Sequence, residues 1–232
     1  MKRVGVILLA GAVATFGVAG PFKKVCITSS QISKLVEFNP QREKVRLCYP
    51  QLKGKGREVG LANLILKNRL LLDFQRGFDI DPAVWRTLPP YYKFEYITDY
   101  SAYLIKNRIV SVAYKVYAFT GGAHGNDYYI PINWDLEEGE DIPFCRFFNP
   151  YSIVDLKRLI LAIDRQRGHR IEWLEDFFNQ HYIPHFQLTP EGVNFIFQKY
   201  EVAPGYRGSF TIFVPYDRLE RFIQPKYRSI VQ

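Results

Sequence analysis

Reactive side chains are scarce in this chain, whose 232 residues include only three cysteines and four histidines. It contains no Cys-x-x-Cys pair, which removes zinc ribbons and thioredoxin-type sites. The lack of a Gly-Lys-Ser/Thr after its glycine-rich stretch removes the P-loop. Low-complexity runs are missing too, which excludes collagen-like and linker classes. Beyond Val4 to Val18 there is no long apolar stretch, so a protein with several membrane spans is excluded. What is present is ordinary globular composition, 47% apolar and 23% charged.

The first twenty residues set Lys2 and Arg3 ahead of an apolar run that ends in small residues. This is the pattern of a signal peptide or an uncleaved N-terminal anchor, and it predicts an extracytoplasmic, periplasmic or secreted protein. Lys23, Lys24 and Val25 ahead of Cys26 rule against a lipobox. Three cysteines allow one intramolecular bridge, and Cys26 with Cys48 is the expected pair because both lie in the same N-terminal stretch. Cys145, within Pro143-Phe144-Cys145-Arg146-Phe147-Phe148, is expected to be a buried, inert thiol.

The net charge of +8 is unevenly spread. Residues 21–60 carry nine Lys or Arg and three Glu, while the rest of the chain beyond them balances to zero. A basic segment on a neutral body is attracted to anionic surfaces at long range, and an exported protein meets anionic lipid first. Residues 21–60 are therefore expected either to touch an anionic membrane or to serve as a solvated face. Nucleic acid is not an expected partner, since no binding motif accompanies the charge.

The apolar periodicity of Leu61, Leu64, Ile65, Leu71 and Leu72 predicts a helix over 60–75. A change of period then predicts an antiparallel meander: 94–97, 101–105, 109–119 after a tight Asn107-Arg108 connection, and 128–134. Asn149 and Pro150 open a second helix striped by Ile153, Leu156, Leu159, Ile160 and Ile163 and stopped at Gly168. A short helix around Leu174 to Phe178, strands at 193–200 and 209–214, and a helix near 216–222 complete the chain. The pattern is α+β, a mainly antiparallel sheet with helices packed on one face. The expected organisation is a leader at 1–20, a basic arm or first edge element at 21–43, and one domain at 44–232. Tyrosines at both parities of the meander predict that something covers its second face.

One turn stands out chemically. Gly121, Gly122, His124 and Gly125 form a glycine-rich connection that presents a histidine at the rim of the sheet, with Tyr117 leading into it. His124 reads either as a binding residue or as a structural residue of the turn. His181 and His185 lie four apart, but Pro184 works against a shared helix face and no acid completes a zinc set. The acidic run Asp135, Glu137, Glu138, Glu140 and Asp141 lacks the glycine of an EF-hand and reads as a solvated turn. No catalytic residue, metal or cofactor is assigned.

Tyr117-Ala118-Phe119-Thr120-Gly121-Gly122-Ala123-His124-Gly125, then Phe186-Gln187-Leu188-Thr189-Pro190-Glu191-Gly192, then Tyr200-Glu201-Val202-Ala203-Pro204, and finally Val214-Pro215-Tyr216 resemble domain-of-unknown-function family 3298, the RsiV-type extracytoplasmic domain. Cys48-Tyr49-Pro50-Gln51-Leu52, ahead of Asn63 and Asn68, is similar to the companion segment that precedes this domain in RsiV and in the deacetylase PdaC. The resemblance divides the domain at residue 90 into a companion-like part, 44–90, and an RsiV-type part, 91–232. It implies an α+β fold, export, and binding or sensing at the cell envelope, with an envelope glycan or an extracellular protein as partner. The ligand-binding set expected is Gly121, Gly122, His124, Gly125, Tyr117 and Glu201. The alternative is an envelope hydrolase using His124 with Glu201 or a bound metal.

Overall fold

The computed structural model describes residues 20–32, 43–77, 87, 89, 93–121, 123–168, 171–180 and 183–231; the leader, Gly122, His169 and His181 lie outside them. Strand β1 (Phe22–Thr28) pairs antiparallel with β2 (Glu43–Leu52), which sets Cys26 opposite Cys48, and a disulfide joins the two. The start of the basic segment is thus an edge strand, and its exposed Lys23 and Lys24 suit an edge that should not recruit another strand. Beyond Arg46 only β1 pairs with β2, so the strand continues through Pro50 without losing a bond to a second neighbour.

Helix α1 (Arg57–Gly77) follows, and β2 runs parallel to β3 (Phe94–Ile105). The residues predicted two strands in this stretch; β3 is one, unbroken through Thr98 to Tyr100. β4 (Ile109–Phe119) returns antiparallel after a turn in which Lys106 and Asn107 hold φ of 49° and 52°, the left-handed pair of a tight hairpin. β5 (Asn126–Asp135) and β6 (Glu140–Asp141) complete a sheet ordered β1-β2-β3-β4-β5-β6.

α1 covers one face of this sheet, but not with the stripe that periodicity selects. Ala62, Leu66, Leu70 and Phe74 are buried against Val45, Leu47, Tyr96, Val112, Tyr114 and Val116. Leu61, Leu64 and Leu72 point outward. The helix is apolar on two opposite sides, and its polar residues decide which side faces in. Asn63 accepts from Leu52 N–H and donates to Leu52 C=O at 2.7 and 3.0 Å. Asp73 receives the hydroxyls of Tyr96 and Tyr128, and Tyr114 donates to the Leu66 carbonyl.

The opposite face carries a second sheet. A single helical turn at Phe144–Phe147 buries Phe147 and leaves Cys145 exposed, contrary to the expected buried thiol, because the neighbouring phenylalanines take the inward positions. The Asn149 side chain then accepts from Tyr151 N–H over a short 3-10 turn opened by Pro150, which leads into α2 (Ile153–Gln166). α3 (Leu174–Asn179) precedes β7 (His185–Leu188), β8 (Gly192–Phe197) and β9 (Phe210–Pro215), a three-stranded antiparallel sheet, and α4 (Pro225–Val231) closes the chain. Val193, Phe195 and Phe197 of β8 share a core with Leu156, Ile160 and Ile163 of α2 and Phe177 and Phe178 of α3. The fold is α+β and mainly antiparallel, with its strands in two sheets rather than one. β7 was not legible in the sequence, and His185 stands on it rather than on a helix.

Amide side chains join the two sheets. Asn133 of β5 donates to the Phe186 carbonyl and accepts from Leu188 N–H at 3.0 and 3.1 Å, filling the free edge of β7, and also accepts from Ser111. Gln187 accepts from the Ser101 hydroxyl and donates to the Ser101 carbonyl. Asn133→Ala leaves a buried N–H, carbonyl and hydroxyl without partners. It is expected to lower stability by about 3 kcal/mol in urea unfolding.

The acidic turn departs from its solvated reading at one residue. The Asp135 side chain is only 1% exposed and lies within 2.8 Å of the Arg108 guanidinium. It also accepts from the backbone N–H of Glu137 and Glu138. Burial opposes its charge, yet the bonds from Arg108 and Glu138 hold its carboxyl below the ordinary aspartate range. A depressed folded pKa adds stability at neutral pH that is lost as pH falls from about 4. Asp135→Asn should therefore cost about 3 kcal/mol at pH 7 by removing the buried partner of Arg108, which keeps only the exposed Glu137, and the gap from wild type should narrow below about pH 4 in unfolding curves.

Candidate functional site

The histidine turn joins β4 to β5. Gly121 holds φ of +91°, which a side chain would strain. A Cβ on Gly125 would sit 2.5 Å from the Tyr117 ring, so glycine there lets that half-exposed ring lie across the turn. His124 is exposed, and its Nδ1 lies 3.1 Å from the Gly125 carbonyl, where it donates if protonated. Below the turn, Tyr96 and Tyr128 both donate to Asp73. Burial pushes both phenols well above the ordinary tyrosine range, and the shared carboxylate adds to the effect, so both remain protonated donors.

A second loop, after β8, is fastened to the same end of the molecule. Gln198 accepts from Tyr129 N–H and donates to the Tyr129 carbonyl at 2.9 and 2.8 Å, and Lys199 lies 3.5 Å from Asp127. Tyr200 holds φ of +71°, a left-handed backbone that costs a tyrosine about 1 kcal/mol or more. Its ring is half exposed, rests over Gly205 and receives Lys199 at 5.6 Å. Glu201 then turns back, its carboxylate accepting from Gln198 N–H at 2.7 Å.

Glu201 does not bond His124. It lines a cavity of about 200 Å³ with Trp173, Asp176, Phe177 and Gln180, where Trp173 is 41% exposed. The structure thus brings Tyr117, His124 and Gly125 together in one turn and places Glu201 in the neighbouring loop. Gly122 lies outside the described residues, as does His181. Among the described residues no group of three or more His, Cys, Asp or Glu is arranged to hold a metal. Sequence reasoning missed Trp173, Asp176 and Gln180. The only signal was a tryptophan just ahead of a short helix, which does not show that β8 ends beside it.

Residues 156–217 match the family model described as a protein of unknown function, DUF3298, and residues 43–127 match that described as deacetylase PdaC. The chain carries a DUF3298 segment behind a PdaC-type segment. The PdaC-type match extends through the His124 turn, and the DUF3298 match contains Tyr200 and Glu201, so the two facing loops come one from each. A search of curated proteins finds no match. Among solved structures, a DUF3298 family member from Bacteroides fragilis superposes with a TM-score of 0.61 at 14% identity, covering 91% of this chain and 96% of its own. A DUF3298 family protein from Pseudomonas aeruginosa gives a TM-score of 0.60 at 18% identity, over 88% and 93%. At these identities the likeness is one of fold.

Within the DUF3298 segment, Tyr200 keeps a strained backbone while showing its ring to solvent, a combination associated with recognition sites. Tyr200→Gly should relieve the left-handed geometry and raise the stability of the free protein by about 1 kcal/mol in chemical unfolding. A loss of stability would mean that the ring serves packing instead.

Proposed function

We propose that the protein is an exported, non-enzymatic module that binds or senses an envelope glycan or an extracellular protein at the cell envelope. The recognition end is the one where the His124 turn and the Tyr200-Glu201 loop lie side by side. The observation that carries this reading is the brace between them. Gln198 on Tyr129 and Lys199 beside Asp127 fix the bases of both loops on sheet, while Tyr117, His124, Tyr200 and Trp173 remain exposed beyond. Rigid bases with exposed aromatic tips are what a binding surface requires, because little order is lost on contact. A cavity of about 200 Å³ is the size for one ring or one side chain rather than for a larger molecule.

Export is supported by the basic and apolar leader and by the Cys26–Cys48 disulfide, which persists in oxidising compartments. The hydrolase alternative needs His124 and Glu201 within hydrogen-bond reach of one another or of a shared substrate atom. In the structure Glu201 is engaged by Gln198 N–H, and Nδ1 of His124 lies against the carbonyl of its own turn.

Calorimetric titration with soluble envelope glycan fragments and with candidate extracellular proteins tests the proposal. The His124→Ala and Trp173→Ala variants are each expected to weaken binding at least about tenfold without changing the unfolding midpoint. Unchanged affinity in both variants would remove this end of the molecule from the function.

A further inference from the structure

We infer that the outer face of α1 is a docking surface for an anionic lipid bilayer. Arg57, Leu61, Leu64, Asn68, Leu72 and Gln75 recur at three- and four-residue spacing on the side opposite the buried stripe, and all are exposed. Leu64 is 53% exposed and Leu72 is 49% exposed, high values for leucines on one face of a regular helix. Periodicity picks this stripe before the one that is actually buried, so the helix carries one more apolar face than the sheet uses.

Charge on the flanks of the leucines selects the occupant. Arg57 heads the stripe, Lys67 flanks it on one side and Glu58, Arg69 and Arg76 on the other, while Lys55 stands just ahead of the helix, so cations outnumber the one acid. Arg69 is paired with Asp141. Lys55, Arg57, Lys67 and Arg76 have no carboxylate partner among the described residues. Leucines at the centre with cations on both flanks form the pattern of a helix lying in a membrane interface, where the apolar side chains enter the acyl boundary and the cations meet phosphate. α1 does not cross the bilayer, since no described helix is long and apolar enough to do so.

The attachment point of the leader agrees with this orientation. The Lys53 ammonium donates to the Gly20 carbonyl at 2.9 Å, and Lys53 N–H donates to the Pro21 carbonyl at 2.8 Å. The apolar run from Val4 to Val18 therefore joins the folded body four residues before α1 begins, at the basic end of the leucine stripe. A second copy of the chain would have to bring two positively flanked helices together, whereas an anionic surface gains from every one of those charges.

The surface is tested on the full chain carrying Cys145→Ser, with one cysteine placed at Leu64→Cys and labelled with a polarity-sensitive dye. A control carries the label at Tyr151→Cys, a position 97% exposed outside α1. With vesicles of phosphatidylglycerol the Leu64→Cys label is expected to shift to the blue and to be quenched by brominated acyl chains, while the control label is not. Vesicles of phosphatidylcholine should give little shift. Charge reversal by Arg57→Glu with Arg76→Glu should weaken the effect at least about tenfold. Three results would overturn the proposal. These are equal responses at both positions, a vesicle-bound chain with no shift at Leu64→Cys so that the leader alone anchors it, or a shift that grows with protein concentration without lipid, which would assign the face to a second copy. Glycan or protein titration reads the His124 and Tyr200 loops, whose residues are not on the leucine stripe, so failure of either proposal leaves the other open.

Discussion

A strand at the margin of a sheet carries backbone N–H and C=O groups with no neighbour, and burying them without partners costs on the order of 1–3 kcal/mol each. Three side-chain amides solve this problem here, each supplying one acceptor and one donor where another strand would stand. Asn63 of α1 closes the end of β2 at Leu52, Asn133 closes the edge of β7 at Phe186 and Leu188, and Gln198 closes the edge of β5 at Tyr129. An amide suits the task because its oxygen and nitrogen present the same pair of functions as a peptide unit. Each bond also crosses a boundary between elements, so satisfying an edge and assembling the layers are one act.

The proposed recognition end depends on the last of these bonds. Gln198 sits where β8 runs out, and its hold on Tyr129 brings the Tyr200-Glu201 loop beside the strand that emerges from the His124 turn. The ion pair of Lys199 with Asp127 strengthens the same seam. Because the amide and the ion pair bear the mechanical task, the tips beyond them are free of it, and a strained tyrosine can persist with its ring in solvent. The two loops belong to different matched segments, so this end exists only when both segments are folded together.

α1 carries two apolar rows, one buried and one exposed. Polar groups, not apolar area, choose its inward face, with Asn63, Asp73 and the Leu66 carbonyl each engaged by the sheet. Its second row of leucines is left outward, flanked by cations.

Local signals along the chain were sufficient for much of the architecture. Alternating β-branched and aromatic residues announce β3 to β5, Asn149 and Pro150 announce the start of α2, and glycines announce the His124 turn, since each depends only on neighbours a few residues away. Charge and leader are equally readable, being sums over the chain. The motifs that carried the family resemblance were legible for the same reason, as short ordered strings. Other features required distance. Which leucines of α1 are buried, why four residues at 185–188 form a strand, and why Asp135 is an interior ion rather than a solvated one follow from partners 11 to 55 positions away in other elements. Glu201 could be named from its motif, but its separation from His124 and its place beside Trp173 could not. Those positions come from edge bonds and packing between two sheets, which no stretch of sequence contains.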